Sequence, residues 1–122
     1  MNPWLAVLVA LFVGYLFGSF PTSYLLGRRK GVDLRVEGSG NLGATNAFRV
    51  LGPVTASLVL LVDLFKGAFP VWLALSDRLA AAGPTADALA LAAAMGAVLG
   101  HAFSPWVGFR GGKGVATAAG AF

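Results

Sequence analysis

Two short glycine-rich runs hold the side chains best suited to grip an anion. The first reads Gly38, Ser39, Gly40, Asn41, Leu42, Gly43, Ala44, Thr45, Asn46, Ala47, Phe48, Arg49. The second reads Gly108, Phe109, Arg110, Gly111, Gly112, Lys113, Gly114. Glycine lets successive backbone N–H groups turn inward as a concave nest for an anion. The first run adds hydroxyls and amides from Ser39, Asn41, Thr45 and Asn46 and ends on Arg49; the second adds Arg110 and Lys113. Arginine can hold phosphate through two parallel hydrogen bonds, and lysine supplies a point charge. Either run alone reads equally well as an ordinary turn flanked by membrane-anchoring cations. Both on one side of a membrane point to a phosphate site.

Two nucleotide motifs are tested and set aside. Gly38, Gly40 and Gly43 match G-x-G-x-x-G with Asp63 twenty residues on, but that fingerprint has to follow a strand and open a βαβ unit. Here it follows an apolar span and a basic run. The second run departs from the triphosphate-binding G-x-x-x-x-G-K-[ST] pattern at Val107 and Gly114. Absence of cysteine excludes disulfides, thiolate nucleophiles and cysteine-ligated metal, and a single histidine leaves none of the common zinc sites. No cofactor, metal or nucleic-acid partner is expected.

Two more features carry potential chemistry. Asp63 and Lys66 stand three apart, hence on one helix face, inside an otherwise apolar stretch. An ionisable residue there is a functional hypothesis by default; the alternative is a self-neutralising structural pair. His101 is the one side chain with an unperturbed pKa near neutrality. It reads either as an acid/base group or as a structural hydrogen-bonder.

The elements that must position these groups are membrane spans. Only 11% of the 122 residues are charged and 57% are apolar, against about 25% charged in an average soluble domain. Crossing the hydrocarbon core takes about 20 apolar residues. Residues 3–27, 52–76 and 84–104 supply three such stretches, and a fourth begins near residue 114. The prediction is an all-α integral membrane protein, a single transmembrane domain over 1–122. The fourth run reaches only Phe122, too short to span, so the chain reads as incomplete at its C-terminus. Arg28, Arg29, Lys30, Arg35 and Arg49 follow the first span and Arg110 and Lys113 follow the third, whereas the intervening connection has only Arg78. The positive-inside rule therefore puts the N-terminus outside and both glycine runs in the cytoplasm. Gly14 and Gly18, and Gly96 and Gly100, have the spacing of close helix contacts in lipid, a spacing also frequent by chance in glycine-rich apolar segments. Pro70 is expected to bend its helix locally.

Four ordered motifs resemble a known family. They are Gly18-Ser19-Phe20-Pro21-Thr22-Ser23, the first glycine run, Asp63-Leu64-Phe65-Lys66-Gly67, and Gly100-His101 followed by Phe109 to Thr117. Together they resemble the bacterial membrane glycerol-3-phosphate acyltransferases of the PlsY type. The resemblance implies a seven-helix bundle in the bacterial inner membrane with its active site at the cytoplasmic face. It implies transfer of a fatty acyl group from acyl phosphate to the 1-hydroxyl of glycerol 3-phosphate, giving lysophosphatidic acid for phospholipid synthesis. Ser39, Asn41, Thr45, Asn46 and Arg49 match one family motif, and His101, Gly111, Gly112 and Lys113 match another. Ser39, Arg49 and Lys113 would help form a phosphate hole. Arg110 stands where lysine is common in the family.

Family members are longer and carry a further motif absent here, so residues 1–122 alone are expected to be inactive. The resulting site set is His101, Lys113 and Arg49 for catalysis, with Ser39, Gly40, Asn41, Thr45, Asn46, Gly111 and Gly112 around the phosphate and Asp63 and Lys66 in support. Acyl phosphate is an activated mixed anhydride, so no covalent nucleophile is needed. The hydroxyl proton would pass to His101 or, the favoured reading, to a substrate phosphate oxygen. The rival classes are a transporter or channel subunit for phosphate or a phosphorylated metabolite, and a scaffold that binds anionic lipids.

Overall fold

A computed structural model describes residues 2–76 and 86–122. The predicted connection with Asp77 and Arg78, and the first two residues of the predicted third span, lie outside the described residues. Six α-helices follow in order: α1 (Pro3–Gly18), α2 (Thr22–Arg29), α3 (Ala44–Leu51), α4 (Pro53–Ala74), α5 (Ala86–Ala102) and α6 (Val115–Ala121), with a 3-10 turn at Pro105–Val107 between the last two. No strand occurs among the described residues. Three segments, Pro3–Arg29, Pro53–Ala74 and Ala86–Val107, are long and apolar enough to cross a membrane.

The expected first span over 3–27 is divided. Asn2 caps α1, its Oδ1 accepting from Trp4 N–H at 2.9 Å, and Pro3 fits the first helical position because no N–H is needed there. The helix stops at Gly18. Pro21 has no N–H to donate to a preceding carbonyl, so residues 19–21 leave the helical path and α2 starts afresh at Thr22. Pro70 does not divide α4, which runs on through it to Ala74. The first glycine run is also not all loop: from Ala44 it is helical, as α3.

The bundle is built inside out compared with a soluble one. α1 buries Ala6, Ala10, Gly14 and Gly18, one per turn, and exposes Leu5, Leu8, Phe12 and Leu16. Small residues inward and large apolar residues outward suit helices whose solvent is lipid. Both glycine pairs serve one crossing. A Cβ on Gly14 or Gly18 would collide with the carbonyl oxygens of Ala93 or Ala97, and one on Gly96 or Gly100 with those of Leu11 or Tyr15. The two contact series climb together, so α1 and α5 run parallel. α4 runs the opposite way: Ala74 near its end joins Ala6, Ala10 and Leu89 in one buried cluster, whereas Thr55 near its start accepts from Lys30 Nζ at 2.7 Å. α6 returns antiparallel to α4, with Gly67 against the Thr117 carbonyl and Gly120 against that of Leu64. This up-down-up path brings both glycine runs to one end of the bundle. Leu34, Leu42, Ala47, Leu51, Val59 and Val107 form the buried cluster that anchors them there.

Candidate functional site

One amide shapes the first glycine run. Asn46 is 2% exposed. Its Oδ1 accepts from Ser39 N–H at 3.0 Å, and its Nδ2 donates to the carbonyls of Glu37 at 3.1 Å and Asn41 at 2.9 Å. Both amide protons are therefore engaged within the run, which makes Asn46 its clasp. Gly38 is required beside it: φ is +55° and a Cβ would strike Asn46 Oδ1. Asn41 Oδ1 accepts from Gly43 N–H at 2.7 Å, and Asn41 N–H donates to Ser39 Oγ at 3.3 Å. Ser23 Oγ donates to the Leu42 carbonyl at 2.6 Å and ties the run to α2.

This geometry corrects the expected nest. The N–H groups of Ser39, Asn41 and Gly43 are taken by the run's own side chains, and that of Gly40 by the Glu37 carbonyl at 2.9 Å. Gly40 lies outside the cavity described below and serves the turn, with φ +75°. An anion at this run would have to be met by side chains.

The second run folds under α5. Phe109 N–H donates to the Ser104 carbonyl at 2.8 Å, and Gly111 N–H to that of Ala102 at 2.9 Å. Ser104 Oγ donates to the Ser19 carbonyl, joining this run to the break after α1. Gly112 presses on His101: a Cβ there would run into Nε2 and stand 3.3 Å from Gly43 N. The two runs therefore meet at His101.

Between them opens a cavity of about 640 Å³. Part of its lining is polar, made by Ser39, Asn41, Thr45, Arg49, His101 and Lys113. Thr45 and Arg49 stand four apart on α3 and so share a face, a placement hidden while the segment reads as loop. The rest of the lining is mainly apolar: Leu60, Leu64, Val115, Ala116 and Ala119 from α4 and α6. Leu60 and Val115 are among the exposed large apolar residues. Sequence reasoning missed this apolar lining. The spacing of Leu60, Asp63 and Leu64 at one helix face was its only signal. Among the described residues neither Arg49 nor Lys113 has an acidic partner.

Gly111 and Gly112 do not line that cavity. They border an adjoining pocket of about 10 Å³ with Asp63, Lys66 and His101, at the lower limit of room for one water. Asp63 and Lys66 are 1% and 4% exposed and form the expected pair, Nζ to Oδ1 at 3.1 Å. Lys66 Nζ also donates to the Phe20 carbonyl at 3.0 Å and lies 2.7 Å from His101 Nδ1. The histidine as third member was not legible, since 35 residues separate it from Lys66. Arg110 is exposed and lines neither space.

Comparison with known proteins identifies the family. The family model described as glycerol-3-phosphate acyltransferase matches residues 8–122. A glycerol-3-phosphate acyltransferase of Anaeromyxobacter dehalogenans (strain 2CP-C) is 48% identical over all of this chain and 60% of its own length. One from Synechococcus sp. (strain JA-3-3Ab) is 50% identical over 98% of this chain and 56% of its own. The crystal structure of PlsY, an integral membrane glycerol 3-phosphate acyltransferase, in its glycerol 3-phosphate form superposes with a TM-score of 0.81 at 40% identity, covering 94% of this chain and 55% of that one. Its lysophosphatidic acid form gives 0.77 at 37% identity. The chain thus spans little more than half the length of the relatives it matches. With the family model covering nearly every residue, the chain belongs to the glycerol-3-phosphate acyltransferase family.

Proposed function

We propose that this chain supplies the oxyanion-holding half of an enzyme that transfers a fatty acyl group from acyl phosphate to the 1-hydroxyl of glycerol 3-phosphate. The observation that carries the reading is the cavity of mixed polar and apolar lining. Arg49, Lys113, Ser39 and Thr45 line it together with Leu60, Leu64, Val115 and Ala116, a lining that suits a phosphate head on an acyl tail. The tail would lie along α4 and α6 toward lipid while the head meets the cations. The relatives' names and the glycerol 3-phosphate and lysophosphatidic acid forms of PlsY support the acceptor and the product.

The chemistry asks little of the protein beyond placement. The acceptor hydroxyl attacks the acyl carbonyl, the carbonyl oxygen gains charge, and the C–O bond to phosphate breaks as phosphate leaves. Holding two anions together and stabilising the developing charge accounts for most of the acceleration in such sites. Arg49 and Lys113 offset the phosphate charge, and Ser39 and Thr45 add neutral hydrogen bonds. Asp63, the one carboxylate at the cavity among the described residues, is bonded to Lys66, so the hydroxyl proton passes to a substrate phosphate oxygen. By the distribution of Arg and Lys, the site faces the cytoplasm of a bacterial inner membrane with the N-terminus outside.

A transport pathway would require Asp63 and Lys66 to face an open route. Lys66 is taken up by Asp63, the Phe20 carbonyl and His101 and does not line the large cavity, although Asp63 does, which weighs against a route along the pair. The test uses the product of the complete gene in liposomes with labelled glycerol 3-phosphate. Label appearing in lysophosphatidic acid with acyl phosphate, and not with acyl-CoA, supports the proposal. Label accumulating unchanged inside the liposomes overturns it in favour of transport.

A further inference from the structure

We infer that Lys66 is a positioning residue that fixes His101 as the Nε2–H tautomer, so that His101 donates a hydrogen bond to the bound anion instead of accepting a proton. This rests on the anion-site reading above and adds to it the role of the buried trio. An ammonium has three protons and no acceptor lone pair. Lys66 Nζ has three acceptors within reach: Asp63 Oδ1 at 3.1 Å, the Phe20 carbonyl at 3.0 Å and His101 Nδ1 at 2.7 Å. The count closes only if Nδ1 is bare. A proton on Nδ1 would face an ammonium proton across 2.7 Å and leave a buried Lys66 donor without a partner.

With Nδ1 bare, the neutral ring carries its proton on Nε2. That edge of the ring points away from Lys66, toward Gly112 and Gly114, and Nε2 has no hydrogen-bond partner among the described residues. His101 also lines the cavity with Arg49, Lys113 and Ser39. Gly112 is where a side chain would cover Nε2, so its missing Cβ leaves that donor open. Asp63 acts one step back: its carboxylate holds Lys66 as the ammonium, and the Phe20 carbonyl takes the remaining proton. Intramembrane charge is thereby used to set a tautomer at the membrane face, and the histidine has no bare nitrogen to offer a hydroxyl proton.

15N-histidine labelling of the product of the complete gene in lipid nanodiscs, with the His101 signals assigned by their loss in His101→Gln, reads out this imidazole pair. Two-bond 15N–1H spectra at neutral pH should show Nε2 protonated and Nδ1 bare, and inorganic phosphate should shift the Nε2 signal. A proton on Nδ1, or on both nitrogens, overturns the inference. So does an Nε2 signal that stays put while phosphate binding is recorded by calorimetry. Phosphate that fails to bind at all counts against the anion-site reading, while the tautomer is still judged from its own spectrum. Lys66→Met leaves Asp63 buried and unpaired and can unfold the chain, so the paired variant Asp63→Asn/Lys66→Met is measured beside it. There the Nδ1–H form should become detectable; a tautomer unchanged in a folded paired variant shows that Lys66 does not set it, which also overturns the inference.

Discussion

Arg49 and Lys113 offer the sharpest test because they arrive at one cavity from α3 and from the second glycine run, more than sixty residues apart in sequence. Neither has an acidic partner among the described residues. A hydrogen bond to a charged group contributes about 1.5–3 kcal/mol net, and each 1.4 kcal/mol is tenfold in affinity. Arg49→Ala and Lys113→Ala should therefore each weaken glycerol 3-phosphate or phosphate binding by roughly 10- to 150-fold. Arg28→Ala, at the exposed end of α2 and away from the cavity, should change it less than about twofold, within the ordinary range for surface substitutions. Two cations on one anion must also be coupled. The double variant should deviate from additivity by about 0.5–3 kcal/mol, as residues sharing a partner do. The assay is calorimetric titration of the wild type, both single variants, the double variant and Arg28→Ala at two salt concentrations. Strict additivity, or equal losses at Arg28, Arg49 and Lys113 that vanish together in salt, would refute the shared site and favour a diffuse surface for anionic lipid.

Three further outcomes follow from the packing and the loops. Gly100→Ala drives a methyl into the Tyr15 carbonyl and to 2.7 Å from Ser19 N, both backbone, so it should lower stability by about 1–3 kcal/mol; Leu99→Ala, exposed to lipid, should lower the melting temperature far less. Asn46→Asp keeps the acceptor for Ser39 N–H but turns a carboxylate oxygen toward the carbonyls of Glu37 and Asn41, so it should be at least as damaging in a thermal melt as Asn46→Ala, which costs about 1–3 kcal/mol by leaving buried groups unpaired. Arg35 donates to Asp33 at 2.9 and 3.0 Å, and that hydrogen bond, opposed by a smaller desolvation, holds the Asp33 carboxyl below its usual value. The stabilisation is present above the ordinary carboxylate pKa and is lost as pH falls through the lowered one. Arg35→Ala should return Asp33 to the ordinary range in an NMR titration, with little change in melting temperature because the pair is exposed.

The sequence makes the spans legible because lipid imposes a length and a composition that few other environments do. Residues 52–76 could be read as a helix despite Asp63 and Lys66, since two charges three apart on one face can neutralise each other. The same periodicity could not show that residues 3–27 break at 19–21, because Pro21 is compatible with both a kink and a stop. Nor could it show α3. Its eight residues sit beside three glycines, and Ala47 and Leu51 mark a buried stripe only once the cluster with Leu34 and Val107 is known. The residue types suited to an anion were legible, and the family resemblance implied that Ser39, Arg49 and Lys113 meet; how the helices bring them together was not. Convergence depends on α1 and α5 running parallel while α4 runs opposite, which Gly14, Gly18, Gly96 and Gly100 bring about by letting two backbones touch.

The roles within the site divide along the same line. Glycine spacing predicts inward N–H groups, but a backbone N–H is free for a ligand only if nothing nearer takes it. In the first run Asn41, Asn46 and Ser39 are nearer by construction, because amide and hydroxyl side chains close turns with their own neighbours. The composition that makes a loop look like a phosphate nest is therefore also what consumes its N–H groups. What remains for a ligand is the set of side chains long enough to leave the loop, Arg49 and Lys113, together with His101, whose Nδ1 edge meets Lys66 35 residues away. A motif can name these residues, but only the antiparallel crossing of α4 against α5 makes them one site.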